Sequence, residues 1–106
     1  MGGMLINVMR TAAGEAVLEI RGEIDAANAE RLRRALTGAS RERPNAVVVD
    51  LLYVTFIDSV GIGVLAAGYN AARRLGVPYR VRRASPFISR QLLQTGLYEV
   101  LTGRTP

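Results

Sequence analysis

The chain has 106 residues, a length typical of one domain, and 49% of them are apolar. It contains no cysteine and no histidine. This excludes disulfides, thiol catalysis and cysteine-based zinc sites, and it removes the usual general base of enzymes. We therefore expect a single domain over residues 1–106 that is not an enzyme and holds neither a metal nor a cofactor.

The charge of the chain is strongly basic. Fourteen basic residues, all of them arginine, face nine acidic ones and give a formal charge of +5. Such a charge favours nucleic-acid binding. However, the arginines are spread along the chain without a recognition motif, so we interpret them as solvated helix faces and strand edges and expect no direct nucleic-acid partner. Neither a bilayer-crossing apolar run nor a signal peptide is recognisable, so we expect a cytoplasmic protein without a membrane partner.

Two strands and a helix are predicted at the start of the chain. Strands are expected at MLINVMR and EAVLEIRG, paired as a hairpin across the turn TAAG; the second alternates apolar and polar residues, as a half-buried strand does. A helix is predicted within EIDAANAERLRRALTGAS, since Leu32 and Leu36 share one face. Asp25 is expected to cap this helix, because its carboxylate can accept backbone N–H bonds.

A central strand and a second helix follow. The continuous apolar, β-branched run in AVVVDLLYV is typical of a strand buried on both faces in the middle of a sheet. The helix is predicted to begin at Ser59 and to end near Leu75. Gly76 suits the first position after a helix, and Pro78 prevents its continuation.

The last part of the chain predicts an edge strand and a third helix. Alternating residues in PYRVRR indicate a strand with one face in water. In ASPFISRQLLQTG, Ser85 is predicted to cap a helix, Pro86 to occupy its first position and Gly96 to end it. The stretch LYEVL predicts a short final strand or a packed tail. The resulting order, β-β-α-β-α-β-α, predicts an α/β fold with a mixed sheet flanked by helices.

The junction between the third strand and the second helix, VTFIDSVGIGVL, carries the candidate functional residues Asp58 and Ser59. Ser59 has a simple structural interpretation as the N-cap of the helix. A catalytic role is excluded because the serine has no histidine or lysine to activate it and no GxSxG motif surrounds it. A phosphorylation site is the remaining functional interpretation, since a phosphate at a helix start meets free N–H groups and the positive end of the helix dipole.

Four stretches resemble the STAS domain family, and within it the bacterial anti-sigma factor antagonists. They are RGEIDAANAERL, VVVDLLYVTFIDSVGIGVL, RRLGVPYRV and ASPFISRQLLQTGLYEVL, which together cover most of the chain in the order and spacing of the family. The most specific of these matches is FIDSVGIGVL. The resemblance implies the STAS fold, with a four- to five-stranded mixed sheet.

The resemblance also implies a switch. In these antagonists the serine after the aspartate is phosphorylated by an anti-sigma factor, a serine kinase of the histidine-kinase-like ATPase fold, and a serine phosphatase reverses the reaction. The unphosphorylated antagonist binds the kinase, which frees a sigma factor for transcription. Ser59 matches the phosphorylated serine. The matching partner-binding surface comprises Asp25, Asp58, Ser59, Val60, Gly61, Ile62 and Gly63. Val60 stands where many members have serine or threonine.

One alternative remains within the same family. STAS domains also serve as small assembly subunits of phospholipid-trafficking ABC transporters, where the domain has a structural role. The intact Asp58–Ser59 pair favours the antagonist.

Overall fold

The computed structural model describes residues 3–103 of the chain. The strands are Met4–Arg10 (β1), Glu15–Ile24 (β2), Ala46–Ile57 (β3) and Tyr79–Arg82 (β4). The helices are Ala29–Arg41 (α1), Ser59–Arg74 (α2), Pro86–Gln94 (α3) and Tyr98–Thr102 (α4). No helix within these residues is long and apolar enough to span a membrane.

The four strands form one mixed sheet in the order β1-β2-β3-β4. β1 and β2 pair antiparallel as the predicted hairpin, whereas β2, β3 and β4 run parallel. The predicted α/β fold is confirmed, including the central position of β3 and the edge position of β4. Ile24 pairs with Ile57, the last residues of β2 and β3. The residues that follow these two strands are therefore adjacent at one end of the sheet.

The helices and one face of the sheet enclose a single hydrophobic core. Fully buried residues come from every layer, including Leu18 and Val49 of the sheet and Leu32, Leu65 and Leu92 of the helices. Among residues 3–103, the opposite face of the sheet carries a separate, small cluster of buried apolar residues, Val17, Ala46 and Val48.

The third helix was predicted in detail, and its ends are confirmed. The hydroxyl of Ser85 accepts a hydrogen bond from the backbone N–H of Ile88 at 3.2 Å, and Pro86 is the first helical residue. Gly96 follows the helix with φ of 74°, the left-handed conformation that favours glycine.

The prediction of a short final strand at LYEVL is wrong, because these residues form most of α4. Leu97 and Leu101 lie four residues apart, so a helix places both on one face. Leu101 is fully buried in the core and Leu97 packs against it. The alternative prediction of a packed tail describes the segment correctly.

The prediction that Asp25 caps the first helix is also wrong. Helix α1 begins at Ala29, and its N-cap residue is Asn28. The carboxylate of Asp25 instead accepts the backbone N–H groups of Ala27 and Asn28 at 3.0 and 3.3 Å. These bonds stabilise a tight turn before the helix, because a short acidic side chain competes with helical hydrogen bonding.

Candidate functional site

The parallel ends of β2 and β3 bring the turn that contains Asp25 next to the start of α2. One carboxylate oxygen of Asp58 accepts the backbone N–H of Ala26, in the turn after β2, at 3.0 Å. The other oxygen accepts the N–H of Gly61, in the first turn of α2, at 2.8 Å. The backbone N–H of Asp58 donates to the carbonyl of Ile24 at 3.1 Å. Asp58 thus joins the two segments into one surface.

The N-cap of α2 is Asp58, so the interpretation of Ser59 as the cap is wrong. Asp58 has extended backbone angles and its side chain bonds to Gly61 in the first helical turn, as an N-cap requires. Ser59 is the first helical residue. A carboxylate is also favourable at the positive end of the helix dipole.

Ser59 therefore does not cap the helix. Its side chain is exposed, and within residues 3–103 its hydroxyl has no hydrogen-bond partner. Asp58 satisfies the helix N–H that a serine cap would have bound. The site consequently presents a free hydroxyl on a helix start whose geometry is fixed by another residue.

The two glycines of the motif differ in their surroundings. A Cβ atom on Gly61 would lie 2.7 Å from side-chain carbons of Ile24 and of Ile57, so only glycine lets the helix approach the strand ends this closely. A Cβ atom on Gly63 would meet nothing within 4 Å. The close approach of the helix to the strand ends therefore requires glycine at position 61 and not at position 63.

The other matched residues divide between surface and core. Val60 is 48% exposed, a large apolar side chain open to solvent directly beside Ser59. Ile62 is 6% exposed and belongs to the core. The accessible part of the site therefore comprises Ser59, Val60 and Gly63, with Asp25 and Asp58 partly buried beside them.

Sequence reasoning missed Asn28 as a residue that shapes this surface. Its side-chain oxygen accepts the backbone N–H of Asp25 at 3.0 Å, and its amide donates to the carbonyl of Glu23 at 2.8 Å. The side chains of Asp25 and Asn28 thus both form hydrogen bonds that stabilise the turn between β2 and α1. The signal was available in the stretch DAAN, since asparagine is a preferred N-cap and turn residue.

The chemistry of the site, as far as residues 3–103 describe it, is that of one exposed hydroxyl and two carboxylates. The nearby ionisable groups are the carboxylates of Asp25 and Asp58, and both are occupied with backbone N–H groups. A serine nucleophile needs an adjacent base, and among the described residues neither carboxylate is bonded to the Ser59 hydroxyl.

Comparison with proteins of known sequence identifies the family of this chain. Residues 8–105 match the family model described as STAS domain. The chain is 46% identical over 54 residues to the anti-sigma-F factor antagonist RsfB of Mycobacterium tuberculosis, an alignment covering 51% of this chain and 44% of RsfB. The chain thus spans less than half the length of that relative. It is 26% identical over 89 residues to an anti-sigma F factor antagonist of Paenibacillus polymyxa, covering 83% of this chain and 76% of the relative.

Comparison with solved structures gives the same result. The crystal structure of an anti-sigma factor antagonist from Mycobacterium paratuberculosis matches with a TM-score of 0.80 and 30% identity, over 93% of this chain and 83% of that one. The family match extends over nearly the whole chain and includes the Asp58–Ser59 junction. The protein therefore belongs to the STAS domain family, and the two relatives and the solved structure described above are named anti-sigma factor antagonists.

Proposed function

We propose that this chain is an anti-sigma factor antagonist whose binding is switched by phosphorylation of Ser59. The unphosphorylated form binds an anti-sigma factor, a serine kinase of the histidine-kinase-like ATPase fold, and thereby frees a sigma factor. The kinase phosphorylates Ser59 and releases the antagonist, and a serine phosphatase restores it. The proposal places these events in the cytoplasm.

The observation that carries this proposal is the division of roles between Asp58 and Ser59. Asp58 caps the helix, and the hydroxyl of Ser59 stays exposed and unbonded among the described residues. A phosphate on that hydroxyl would therefore not remove the helix cap. The modification is expected to change the surface of the site and leave its fold in place.

The charge around Ser59 gives a physical reason for release. A phosphoserine adds a charge of about −1.5 to −2 at neutral pH. It would stand beside the partly buried carboxylates of Asp25 and Asp58. The partner surface would fit the exposed hydroxyl and Val60. On binding the phosphorylated form it would have to bury a concentrated negative charge, and the desolvation of that charge would weaken binding.

Intact mass after incubation with ATP and the anti-sigma kinase encoded nearest to this gene tests the modification. We expect the gain of one phosphate, lost in Ser59→Ala and retained in Thr55→Ala. Thr55 is the matched control, because it is another exposed hydroxyl, four residues earlier. Phosphate incorporation by Ser59→Ala, or no incorporation with any such kinase, would contradict the proposal.

Partner binding tests the consequence of the modification. We expect Ser59→Ala to bind the kinase as tightly as the unmodified protein and to stay bound in the presence of ATP. Ser59→Asp should bind more weakly, although one carboxylate carries less charge than a phosphate. Equal binding by wild type and both variants would refute the switch. Co-purification with a transporter ATPase instead would favour the assembly-subunit alternative.

A further inference from the structure

A cavity of about 310 Å³ lies beside the edge strand β4, next to α3 and α4. It belongs to none of the segments that form the Asp58–Ser59 site. Its polar lining comes from the strand and the residue after it, and from the two helices: Arg80, Arg82, Arg83, Ser89, Tyr98 and Thr102.

The arginines of this cavity outnumber the carboxylates that pair with them. Arg82 Nη2 and Arg83 Nε lie 3.3 and 3.1 Å from the carboxylate of Asp50, which both residues share. Arg80 is 3.6 Å from Glu15, too far for a hydrogen bond. The Nε of Arg82 is buried and has no acceptor within the described part of the chain. Donors therefore exceed acceptors, and the local charge is positive.

The guanidinium groups are held in place yet remain accessible. Asp50 is buried and fixes the heads of Arg82 and Arg83, whose side chains are 36% and 48% exposed. The side chain of Arg80 is 43% exposed. Arg83 has φ of 59°, a left-handed conformation that is uncommon outside glycine. Such backbone strain concentrates at ligand sites, where neighbouring structure maintains it.

We propose that this cavity binds the phosphate group of a small phosphate monoester. Guanidinium groups match phosphate oxygens through paired, charge-assisted hydrogen bonds. Arg80 and Arg82 would supply the principal contacts, and Ser89 and Tyr98 also line the cavity. The cavity has the volume of a small ligand pocket. The cavity does not include Ser59, so the test of phosphate binding is independent of the test of the proposed switch.

NMR titration of the intact chain with inorganic phosphate and with glycerol 2-phosphate tests the site. We expect saturable shifts of the backbone amides of residues 80–84 and of the arginine Nε–H resonances in the cavity. Arg80→Gln should weaken binding about tenfold, because a charged contact to phosphate is lost. Arg80 suits this test, since its only described ion pair is the long one to Glu15.

A matched arginine variant tests whether phosphate binds to the cavity itself or only to the overall positive charge of the protein. Arg34→Gln removes the same charge from an exposed position on α1 and should change the affinity by less than about twofold, because exposed charges at a distance are screened by salt. Arg82→Lys retains the charge but loses the planar fork, and it should weaken binding several-fold. The proposal is overturned if neither phosphate compound gives saturable shifts, if Arg34→Gln weakens binding as much as Arg80→Gln, or if acetate binds as tightly as phosphate.

Discussion

Strand β3 carries two aspartates with opposite surroundings, Asp50 within the strand and Asp58 immediately after it. Asp50 is 1% exposed, and its partners include two arginine side chains and the backbone N–H of Leu52. Asp58 is partly buried, and its carboxylate accepts two backbone N–H groups and meets no arginine among the described residues. The first charge is neutralised inside the domain. Among the described residues, the carboxylate of Asp58 is bonded only to backbone N–H groups.

This difference indicates that Asp50 mainly stabilises the fold, whereas Asp58 mainly shapes the exposed site. Burial opposes ionisation of Asp50, but hydrogen bonds from Arg83 and Leu52 and the charges of both arginines outweigh it and hold the pKa of its carboxyl below the ordinary value. Asp58 instead aligns a turn and a helix start around an exposed serine. Substitutions at Asp50 should therefore act mainly on stability, and those near Asp58 mainly on the shape of the site.

Asp50→Asn should produce the largest loss of stability. The substitution removes a buried charge that pairs with Arg82 and Arg83, and hydrogen bonds to charged groups contribute about 1.5–3 kcal/mol. The loss should not exceed this range, because both arginines are partly exposed and can turn to water. Urea unfolding of the two proteins at neutral pH measures the difference. Equal midpoints would show that the pairing contributes nothing net.

The pH dependence of that difference identifies its origin. The carboxyl of Asp50 has a lowered pKa in the folded state, so its contribution is complete above the ordinary carboxyl pKa of about 3.9. The contribution is then lost as the pH falls through the lower pKa of the folded protein. The stability gap between wild type and Asp50→Asn should close over that acidic range. A gap that stays constant with pH would assign the effect to packing.

Gly61→Ala should have the second largest effect. Its Cβ would lie 2.7 Å from carbons of Ile24 and Ile57, and overpacking of this kind costs about 1–3 kcal/mol. Alanine regains up to about 1 kcal/mol through its higher helix propensity, so we expect a net loss of about 1–2 kcal/mol in urea unfolding. The start of α2 should also shift away from the strands, weakening partner binding.

Gly63→Ala is the control for this effect, because a Cβ there meets nothing within 4 Å. It lies in the same helix and gains the same propensity, so it should stabilise the protein by about 0.5–1 kcal/mol. A loss of stability at Gly63 equal to that at Gly61 would mean that the contacts of Gly61 do not limit the approach of the helix.

Asp58→Ala should cost less than either destabilising change. Removal of an N-cap typically destabilises a protein by about 1 kcal/mol, and here the turn after β2 also loses its bond from Ala26. Partner binding should weaken by a larger free energy than the loss of stability, because Asp58 no longer joins the turn after β2 to the start of α2. Asp58→Asn keeps an acceptor and should recover most of the stability. If it recovers none, the charge and not the hydrogen bond is responsible.

The fold was largely predictable from the sequence because its signals are local. Apolar periodicity identified β2 and α1, and the pair Ser85 and Pro86 identified the start of α3 correctly. The segment around Leu101 was not predictable as a helix, since five residues carry too little periodicity to separate a strand from a helical turn. Its conformation is decided by the core against which Leu101 packs.

The geometry of the site was less predictable than its location. The motif placed Asp58 and Ser59 at a strand–helix junction, as the structure has them. Which of the two caps the helix depends on backbone angles, since aspartate and serine are about equally good caps. Similarly, Asp25 and Asn28 are both residue types that cap helices, but their side chains bond within the turn, and the Asn28 side chain makes no cap bond to α1. Three-dimensional contacts, not residue type, settle such choices.

Val60→Ser should have the smallest effect on stability and a larger effect on binding. Val60 is 48% exposed at the second position of α2, so its loss should change the free energy of unfolding by less than about 0.5 kcal/mol. If the exposed valine lies in the contact with the partner, burial of its side chain contributes up to about 1.5 kcal/mol, and the serine variant should bind the kinase several-fold more weakly. Calorimetric titration alongside urea unfolding separates the two effects. Unchanged affinity with unchanged stability would place Val60 outside the contact with the partner.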